Sequence, residues 1–126
     1  MITLTIHAIL NSMDIINEMM EQKLSGRTAF HVARIARELN KEYEIFEKTR
    51  YKLIEKYSVR ADDGKLKIEN NTYHIDEKYI DKFNQELSEL LNSTVELNIE
   101  KIALKDLEHL EFTPKQMYAL EAFIEE

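Results

Sequence analysis

The chain is 126 residues long, has a net charge of −7, and consists of 44% hydrophobic and 33% charged residues. This composition is too apolar for an intrinsically disordered protein and too charged for a membrane-embedded one. The absence of cysteine and the presence of only two glycines exclude disulfides, thiolate chemistry and glycine-rich phosphate loops. We therefore expect a soluble, cytoplasmic protein that folds as a single domain over residues 1–126.

The charges are distributed unevenly along the chain. Residues 1–22 carry three acids and no lysine or arginine, residues 23–60 carry ten bases and five acids, and residues 61–126 carry seven bases and sixteen acids. The commoner explanation is that the basic and acidic segments fold onto each other and their fields partly cancel. The alternative is that the basic segment meets nucleic acid or an acidic partner, or that the acidic segment mimics a polyanion.

Hydrophobic periodicity predicts the first two elements. Residues 2–6 alternate between apolar and polar side chains, which is typical of a strand with one buried face. The period then becomes helical and predicts a helix from about Ala8 or Asn11 to Gln22. The residues at helical spacing are Ile9, Met13, Ile16 and Met20.

The strongest periodic signal predicts a helix from about 28 to 57, with Ser25 or Thr28 as its N-cap. Such a helix is about 45 Å long, which exceeds the width of a compact domain of this size. We therefore expect its end to project, to kink or to pack against a second copy of the chain. Its heptad-like apolar stripe is the candidate oligomer surface and consists of Val32, Ala36, Leu39, Tyr43, Phe46, Leu53 and Tyr57.

Residues 65–76 predict a β-hairpin with Asn70-Asn71 as a two-residue turn, which follows a turn at Asp62-Asp63-Gly64. One register sorts the apolar side chains onto one face and the polar ones onto the other. Its pairs are Glu69 with Thr72, Ile68 with Tyr73, and Leu66 with Ile75.

The remaining residues predict two more helices and one more strand. Asp76 is expected to cap a helix that ends near Asn92, and residues 94–100 alternate like a strand. Residues 101–112 hold at most one short helical turn, after which Thr113-Pro114 starts a last helix. Its inner face is predicted to carry Met117, Leu120 and Ile124. The predicted fold is therefore α+β and helix-dominated, with a small antiparallel sheet formed from residues 2–6, 65–69, 72–76 and 94–100.

No grouping of residues in the sequence indicates catalysis. The four histidines, His7, His31, His74 and His109, lie in different predicted elements, so a metal site would have to be assembled from distant parts of the chain. No segment resembles a nucleophile elbow. We therefore predict that the protein is not an enzyme and has no catalytic residue, no bound metal and no cofactor.

One candidate partner-binding surface lies at the start of the long helix. Its residues recur at steps of three and four, which places them on one helix face; they are Arg27, His31, Arg34, Arg37 and Lys41. This basic face could contact phosphates or an acidic protein, or it could be only the solvated side of the helix. Glu38 and Glu42 lie among the bases and no aromatic residue interleaves for base stacking, so we do not expect binding to nucleic acid.

Several segments carry a resemblance that extends over nearly the whole chain. They include Ile16-Asn17-Glu18, Lys23-Leu24, Thr28-Ala29-Phe30-His31-Val32-Ala33-Arg34, Phe46-Glu47-Lys48-Thr49-Arg50-Tyr51, Phe83-Asn84-Gln85-Glu86-Leu87 and the acidic residues 119–126. In their order, the chain resembles small proteins of unknown function from tailed bacteriophages and prophages of Gram-positive bacteria. The resemblance implies a phage-encoded accessory protein that acts in the host cytoplasm, and it transfers no functional residue.

The resulting prediction is a virion or assembly accessory protein that acts by protein–protein interaction. The alternative is an inhibitor of a host defence factor that works through the acidic C-terminal half or the basic helix face. Both functions require a protein partner, from the phage or from the host. A homo-oligomer is a further expectation, and no membrane partner is expected.

Overall fold

The computed structural model describes residues 1–60, 64–69 and 72–126, and its fold is α+β and dominated by helices, as predicted. The helices are α1 (Ile6–Met19), α2 (Gly26–Tyr57), α3 (Ile80–Asn92) and α4 (Pro114–Leu120). The strands are β1 (Ile2–Thr5), β2 (Ile68–Glu69), β3 (Thr72–Tyr73), β4 (Thr94–Leu97), β5 (Ile102–Ala103) and β6 (Ile124–Glu125). Within these described ranges, no helix combines the length and the apolar character that crossing a bilayer requires.

The chain divides into two compact units. The first unit comprises Met1–Tyr43 and Ser93–Glu126, and the second unit comprises Glu44–Asn92. The long helix α2 contributes its first part to the first unit and its last part to the second. The prediction of a single domain stays a prediction, and each unit is described separately below.

In the first unit, β1 and β4 form an antiparallel pair; their alternating sequences predict each strand but not its partner. Their register runs from Ile2 opposite Leu97 to Thr5 opposite Thr94. Ile2 and Leu97 are buried, whereas Thr3 and Glu96 on the other face are exposed. Strand β1 ends one residue earlier than predicted because Thr5 is already the N-cap of α1, where its hydroxyl accepts a hydrogen bond from the Ala8 N–H.

Helix α1 buries part of the face that we predicted. Ile9 and Ile16 are buried as expected, whereas Met13 is only half-buried and Met20 is 50% exposed, and the helix ends at Met19 rather than at Gln22. The buried face continues through Ser12, Ile15 and Met19. The Ser12 hydroxyl can lie in this core because it donates a hydrogen bond to the Ile9 carbonyl at 2.9 Å.

The C-terminal part of the first unit confirms the predicted helix start and corrects the helix end. The capping box at the start of α4 is complete, since the Thr113 hydroxyl accepts from the Gln116 N–H and the Gln116 side chain accepts from the Thr113 N–H. The predicted position of Ile124 on the inner face of this helix is wrong. The helix ends at Leu120, a 3₁₀ turn follows at Glu121–Phe123, and Ile124 pairs in parallel with Ile102.

Helix α2 begins two residues before the predicted start and ends at the predicted residue. Ser25 lies at the capping position, where its carbonyl accepts a hydrogen bond from the Ala29 N–H at 2.8 Å. Its hydroxyl donates to the Thr28 hydroxyl at 3.1 Å. Both of the candidate capping residues therefore take part in the first turn of the helix.

In the second unit, the hairpin has the predicted register at its tip and not at its base. Ile68 pairs with Tyr73 and Glu69 with Thr72, as expected. The predicted pair Leu66–Ile75 is wrong, because residues 58–60 lie between the two arms at that level. Leu66 bridges to Arg60 and Ile75 bridges to Ser58.

Backbone hydrogen bonds show why the base of the hairpin opens. The Val59 N–H donates to the His74 carbonyl at 2.8 Å, and the Val59 carbonyl accepts from the Lys67 N–H at 2.9 Å. Val59, two residues after the end of α2, therefore forms backbone hydrogen bonds with both arms of the hairpin. Of the predicted turns, Asn70-Asn71 and Asp62-Asp63 lie outside the described residues, whereas Gly64 has a φ of 82°, which glycine adopts without strain.

Helix α3 starts as the sequence predicts. The Asp76 carboxylate accepts a hydrogen bond from the Lys78 N–H at 3.0 Å, and a 3₁₀ turn at Glu77–Tyr79 leads into the helix. Tyr57 at the end of α2 packs against Phe83 of α3, with the two ring centroids 6.5 Å apart and nearly perpendicular. This edge-to-face contact fixes the end of α2 within the second unit.

Candidate protein-binding surface

The apolar stripe that we considered for oligomerisation is largely internal. Among its members, Val32, Ala36, Leu39, Phe46 and Tyr57 are all at most 6% exposed. Leu53 is half-buried, and Tyr43 is 39% exposed. Because most of these side chains are covered by the chain itself, the stripe as a whole is not a surface on which a second copy can pack. Homo-oligomerisation stays a prediction, but the apolar stripe no longer supports it.

The predicted basic face lies on the opposite side of the same helix segment. Arg27, Arg34, Arg37 and Lys41 are exposed, and His31 is half-buried. The steps of three and four residues that align these side chains also align Val32, Ile35 and Leu39 on the buried side. The structure therefore brings the predicted residues together on one surface of the first unit.

His31 holds the start of α2 against the segment that follows β4. Its Nε2 atom lies 2.6 Å from the carbonyl oxygen of Glu100, so this nitrogen carries the proton and donates the hydrogen bond. Because its Nε2 atom is hydrogen-bonded to the Glu100 carbonyl, His31 helps to position the basic face, and this nitrogen is not available to a partner.

Arg34 lies over the ring of an exposed phenylalanine. The guanidinium carbon of Arg34 is 5.8 Å from the ring centroid of Phe30, within the range of a cation–π interaction. Phe30 itself is 62% exposed. The expectation that no aromatic residue interleaves with the bases is therefore wrong, because Phe30 stands between Arg27 and Arg34 on the same side of the helix.

A cleft of about 570 Å³ opens beside this part of the helix. The wall formed by α2 carries Arg27, Phe30, His31 and Arg34, and the other residues along the cleft include Asn98, Lys101, Asp106 and Glu125. Asp106 and Glu125 belong to the acidic C-terminal half. Within the first unit, side chains from the basic and acidic parts of the sequence thus line one cleft.

The arginines of the basic face and the acidic side chains that share the cleft do not form ion pairs with each other among the described residues. Over residues 1–60, 64–69 and 72–126, the ion pairs closer than 4.0 Å include Lys41–Glu38, Arg50–Glu47 and Lys56–Glu86. In that part of the chain, Arg27, Arg34 and Arg37 have no carboxylate within this distance. The basic face therefore keeps three exposed guanidinium groups whose bidentate donors are available to an external carboxylate.

The histidines do not assemble into a metal-binding cluster in the part of the chain that the structure describes. No group of three or more metal-ligating side chains is close enough there to hold an ion. His7 lines a groove of about 770 Å³ with Tyr118 and Phe123, and His109 lines a separate groove of about 380 Å³ with Glu18. Neither groove places a second histidine beside the first.

One titratable pair in the second unit has a shifted pKa. The hydroxyl oxygens of Tyr51 and Tyr73 are 3.4 Å apart, and their rings meet edge to face with centroids 5.9 Å apart. The hydrogen bond with Tyr73 raises the pKa of Tyr51 to about 12. The shift therefore changes the charge of Tyr51 only in alkaline solution, between its usual pKa of 10.0 and about 12.

Sequence reasoning found the basic face and missed the residues that make it a cleft. Phe30 falls outside the apolar periodicity of α2, so the sequence pattern does not place it in the core. Its position three residues after Arg27 is the only sequence feature that indicates a place on the basic face. Glu125 lies in β6 and Asp106 lies in the 3₁₀ turn that follows β5, and the parallel pairing of β5 with β6 involves only two residues on each side. The chain matches no family model, and comparisons with curated proteins and with solved structures found no significant similarity.

Proposed function

We propose that this chain is a non-catalytic binding protein that recognises an acidic protein partner through the basic face of α2. The observation that carries the proposal is the state of Arg27, Arg34 and Arg37, which are exposed and have no carboxylate partner among the described residues. The chain has 24 acidic residues and 17 lysines and arginines, so carboxylates are in excess. Arginines that remain unpaired despite that excess are available for a partner.

The type of cation also supports a protein partner. Arginine presents a planar fork of donors that matches a carboxylate in bidentate geometry, and it is among the residues most enriched at the centres of protein interfaces. Phe30 adds an exposed aromatic surface beside two of these arginines. An apolar contact between charged contacts is the usual composition of an interface centre with a polar rim.

The resemblance to small phage and prophage proteins gives the proposal its biological setting. We propose a phage-encoded accessory protein in the host cytoplasm whose partner is another phage protein of the virion or its assembly. The alternative is a host defence factor that the chain inhibits through this basic face or its acidic C-terminal half. The two functions differ in the identity of the partner, which one experiment can establish.

The experiment is capture of partners from phage-infected or lysogenic cells, with identification by mass spectrometry. The test variant carries Arg34→Glu and Arg37→Glu. The matched control carries Lys48→Glu and Lys52→Glu, which change the net charge by the same amount at two exposed positions of the same helix. We expect the wild-type chain and the control to capture one acidic protein, and the test variant to lose it.

The identity of that protein separates the two functions, since a virion protein and a host defence enzyme are easily told apart. Equal capture by the test variant and the control would contradict the proposal that the basic face is the binding surface. Capture of no protein by the wild-type chain would contradict a function in binding proteins.

A further inference from the structure

The spacing of three residues on the wall of the cleft defines what can bind there. Arg27, Phe30 and Arg34 occupy positions i, i+3 and i+7 of α2, so the two guanidinium groups stand two helical turns apart with the aromatic ring between them. At 1.5 Å per residue this separation is about 10.5 Å along the helix axis. The contact of Arg34 with the Phe30 ring fixes the relative position of the second and third groups.

We propose that the cleft binds an amphipathic helix of the partner that carries two carboxylates seven residues apart with an apolar residue between them. This inference rests on the proposed function and names the chemistry of the partner. Charge complementarity identifies the occupant, because the two arginines have no carboxylate within 4.0 Å among the described residues. A helix packed alongside α2 has the same rise per residue, so its carboxylates meet both arginines together.

An extended segment fits this spacing poorly. Side chains on the same face of a β-strand recur at about 6.7 Å and 13 Å, and neither distance matches the separation of the arginines. A nucleic-acid strand is disfavoured for another reason. Asp106 and Glu125 line the same cleft, and they would repel a continuous row of phosphates. A helix can instead turn a polar or basic face toward these carboxylates.

The probe is a fluorescent, alanine-based helical peptide of roughly 18 residues, a length at which an isolated helix forms to a useful extent. It carries two glutamates seven residues apart, with leucines three and four residues after the first glutamate, so that either chain direction can place a leucine on Phe30. Fluorescence anisotropy at low salt measures its binding. We expect Arg27→Ala and Arg34→Ala each to weaken binding about fivefold, the upper range for an exposed charge pair.

Two matched controls make the test specific. Lys48→Ala removes an exposed cation of the same helix that lies outside the basic face and the cleft, and it should leave peptide binding within about twofold. A peptide with glutamines in place of both glutamates should bind at least about fivefold more weakly than the probe. Equal binding of the glutamine peptide, or equal losses with Lys48→Ala and Arg34→Ala, would overturn the inference.

Failure of this inference is distinguishable from failure of the proposed function. If the peptide does not bind while partner capture still depends on Arg34 and Arg37, the basic face is the interface and the helix in the cleft is wrong. If capture is also insensitive to those residues, both proposals are wrong. A fluorescent oligonucleotide that bound more tightly than the peptide and was released by Arg34→Ala would assign the cleft to nucleic acid instead.

Discussion

The guanidinium group of Arg34 lies 5.8 Å from the centroid of the Phe30 ring, on a helix face whose other side forms part of the core. Phe30 remains 62% exposed, and the cation beside it has no carboxylate partner among the described residues. The pair is thus an apolar and a cationic contact held side by side. It is the part of the surface to which we assign the partner.

Phe30 and Phe123, both in the first unit, predict opposite effects on stability and binding. Phe30→Ala should change the free energy of unfolding by no more than about 0.5 kcal/mol, because the side chain is 62% exposed. The same variant should lose partner capture. Phe123→Ala, at a position that is 1% exposed, should destabilise the protein by about 3–5 kcal/mol. Urea unfolding of the two variants measures both values, and a large loss of stability in Phe30→Ala would contradict its placement on the surface.

His31 predicts a structural effect rather than a direct loss of binding contacts. His31→Ala removes the hydrogen bond to the Glu100 carbonyl and should lower the free energy of unfolding by about 0.5–1.5 kcal/mol. Substitution of the neighbouring exposed Arg34 by alanine should cost less than about 0.5 kcal/mol. Urea denaturation of the two variants measures both losses in the free energy of unfolding. Equal stability of His31→Ala and the wild-type chain would show that this link does not hold the start of α2.

These caps and strands illustrate which parts of the fold a sequence can predict. The start of α4 at Thr113-Pro114 and the cap at Asp76 were predicted because capping chemistry is local, and the structure confirms both. The alternation within β1 and within β4 likewise predicts that each is a strand, although it does not predict that they pair. Such signals depend on a few consecutive residues and need no knowledge of the rest of the chain.

Other features depend on contacts that a local pattern does not record. The strands β5 and β6 have two residues each, too few to show a period. The insertion of Val59 between the two arms of the hairpin depends on where α2 ends in space. On α1, stripes through Met13 or through Ser12 are both compatible with helical spacing, and the packing selects the latter because the Ser12 hydroxyl bonds to its own helix. In the candidate site, Phe30 was missed because an exposed apolar residue has no periodic signal.

The capping box of α4 predicts a measurable cost. Thr113→Ala removes the acceptor for the Gln116 N–H at 3.1 Å and should destabilise the protein by about 1 kcal/mol. Thr113→Ser keeps the hydroxyl and is the matched control, which should lie within a few tenths of a kcal/mol of the wild-type chain. Thermal or urea unfolding measures both. Equal losses from alanine and serine would indicate that the methyl group, and not the hydrogen bond, is what matters.

The tyrosine pair of the second unit predicts a shift in titration. Tyr51 should ionise at about pH 12 instead of at the usual value of 10.0, because the Tyr73 hydroxyl stabilises its protonated form. Tyr73→Phe should return the pKa of Tyr51 toward 10.0. Ultraviolet difference spectra against Tyr51→Phe isolate this one ionisation.

The sign of the accompanying effect on stability follows from linkage. A pKa that is higher in the folded state than in the unfolded state stabilises the fold below pH 10.0, and this contribution is lost as the pH rises toward about 12. The stability difference between the wild-type chain and Tyr73→Phe should therefore be constant near neutral pH and shrink over that alkaline range. A difference that grew with rising pH would contradict the shift.

Binding to nucleic acid is predicted not to be the main activity. The net charge of −7 opposes the approach of a polyanion, and the acidic side chains in the cleft add to this. A gel-shift experiment at about 0.15 M salt, where screening limits charge interactions to about 8 Å, should show no complex at micromolar protein. A clear shift that Arg34→Glu with Arg37→Glu abolished would reverse this prediction.

The most direct measurement of the central claim is a charge swap between the chain and the protein that it captures. Calorimetric titration should show binding to the wild-type chain and a loss of affinity with Arg34→Glu. Substituting arginine for the partner's facing carboxylate should then restore binding to Arg34→Glu and weaken binding to the wild-type chain. Unchanged affinity with Arg34→Glu, or failure of every partner carboxylate to restore it, would contradict recognition of an acidic partner by the basic face of α2.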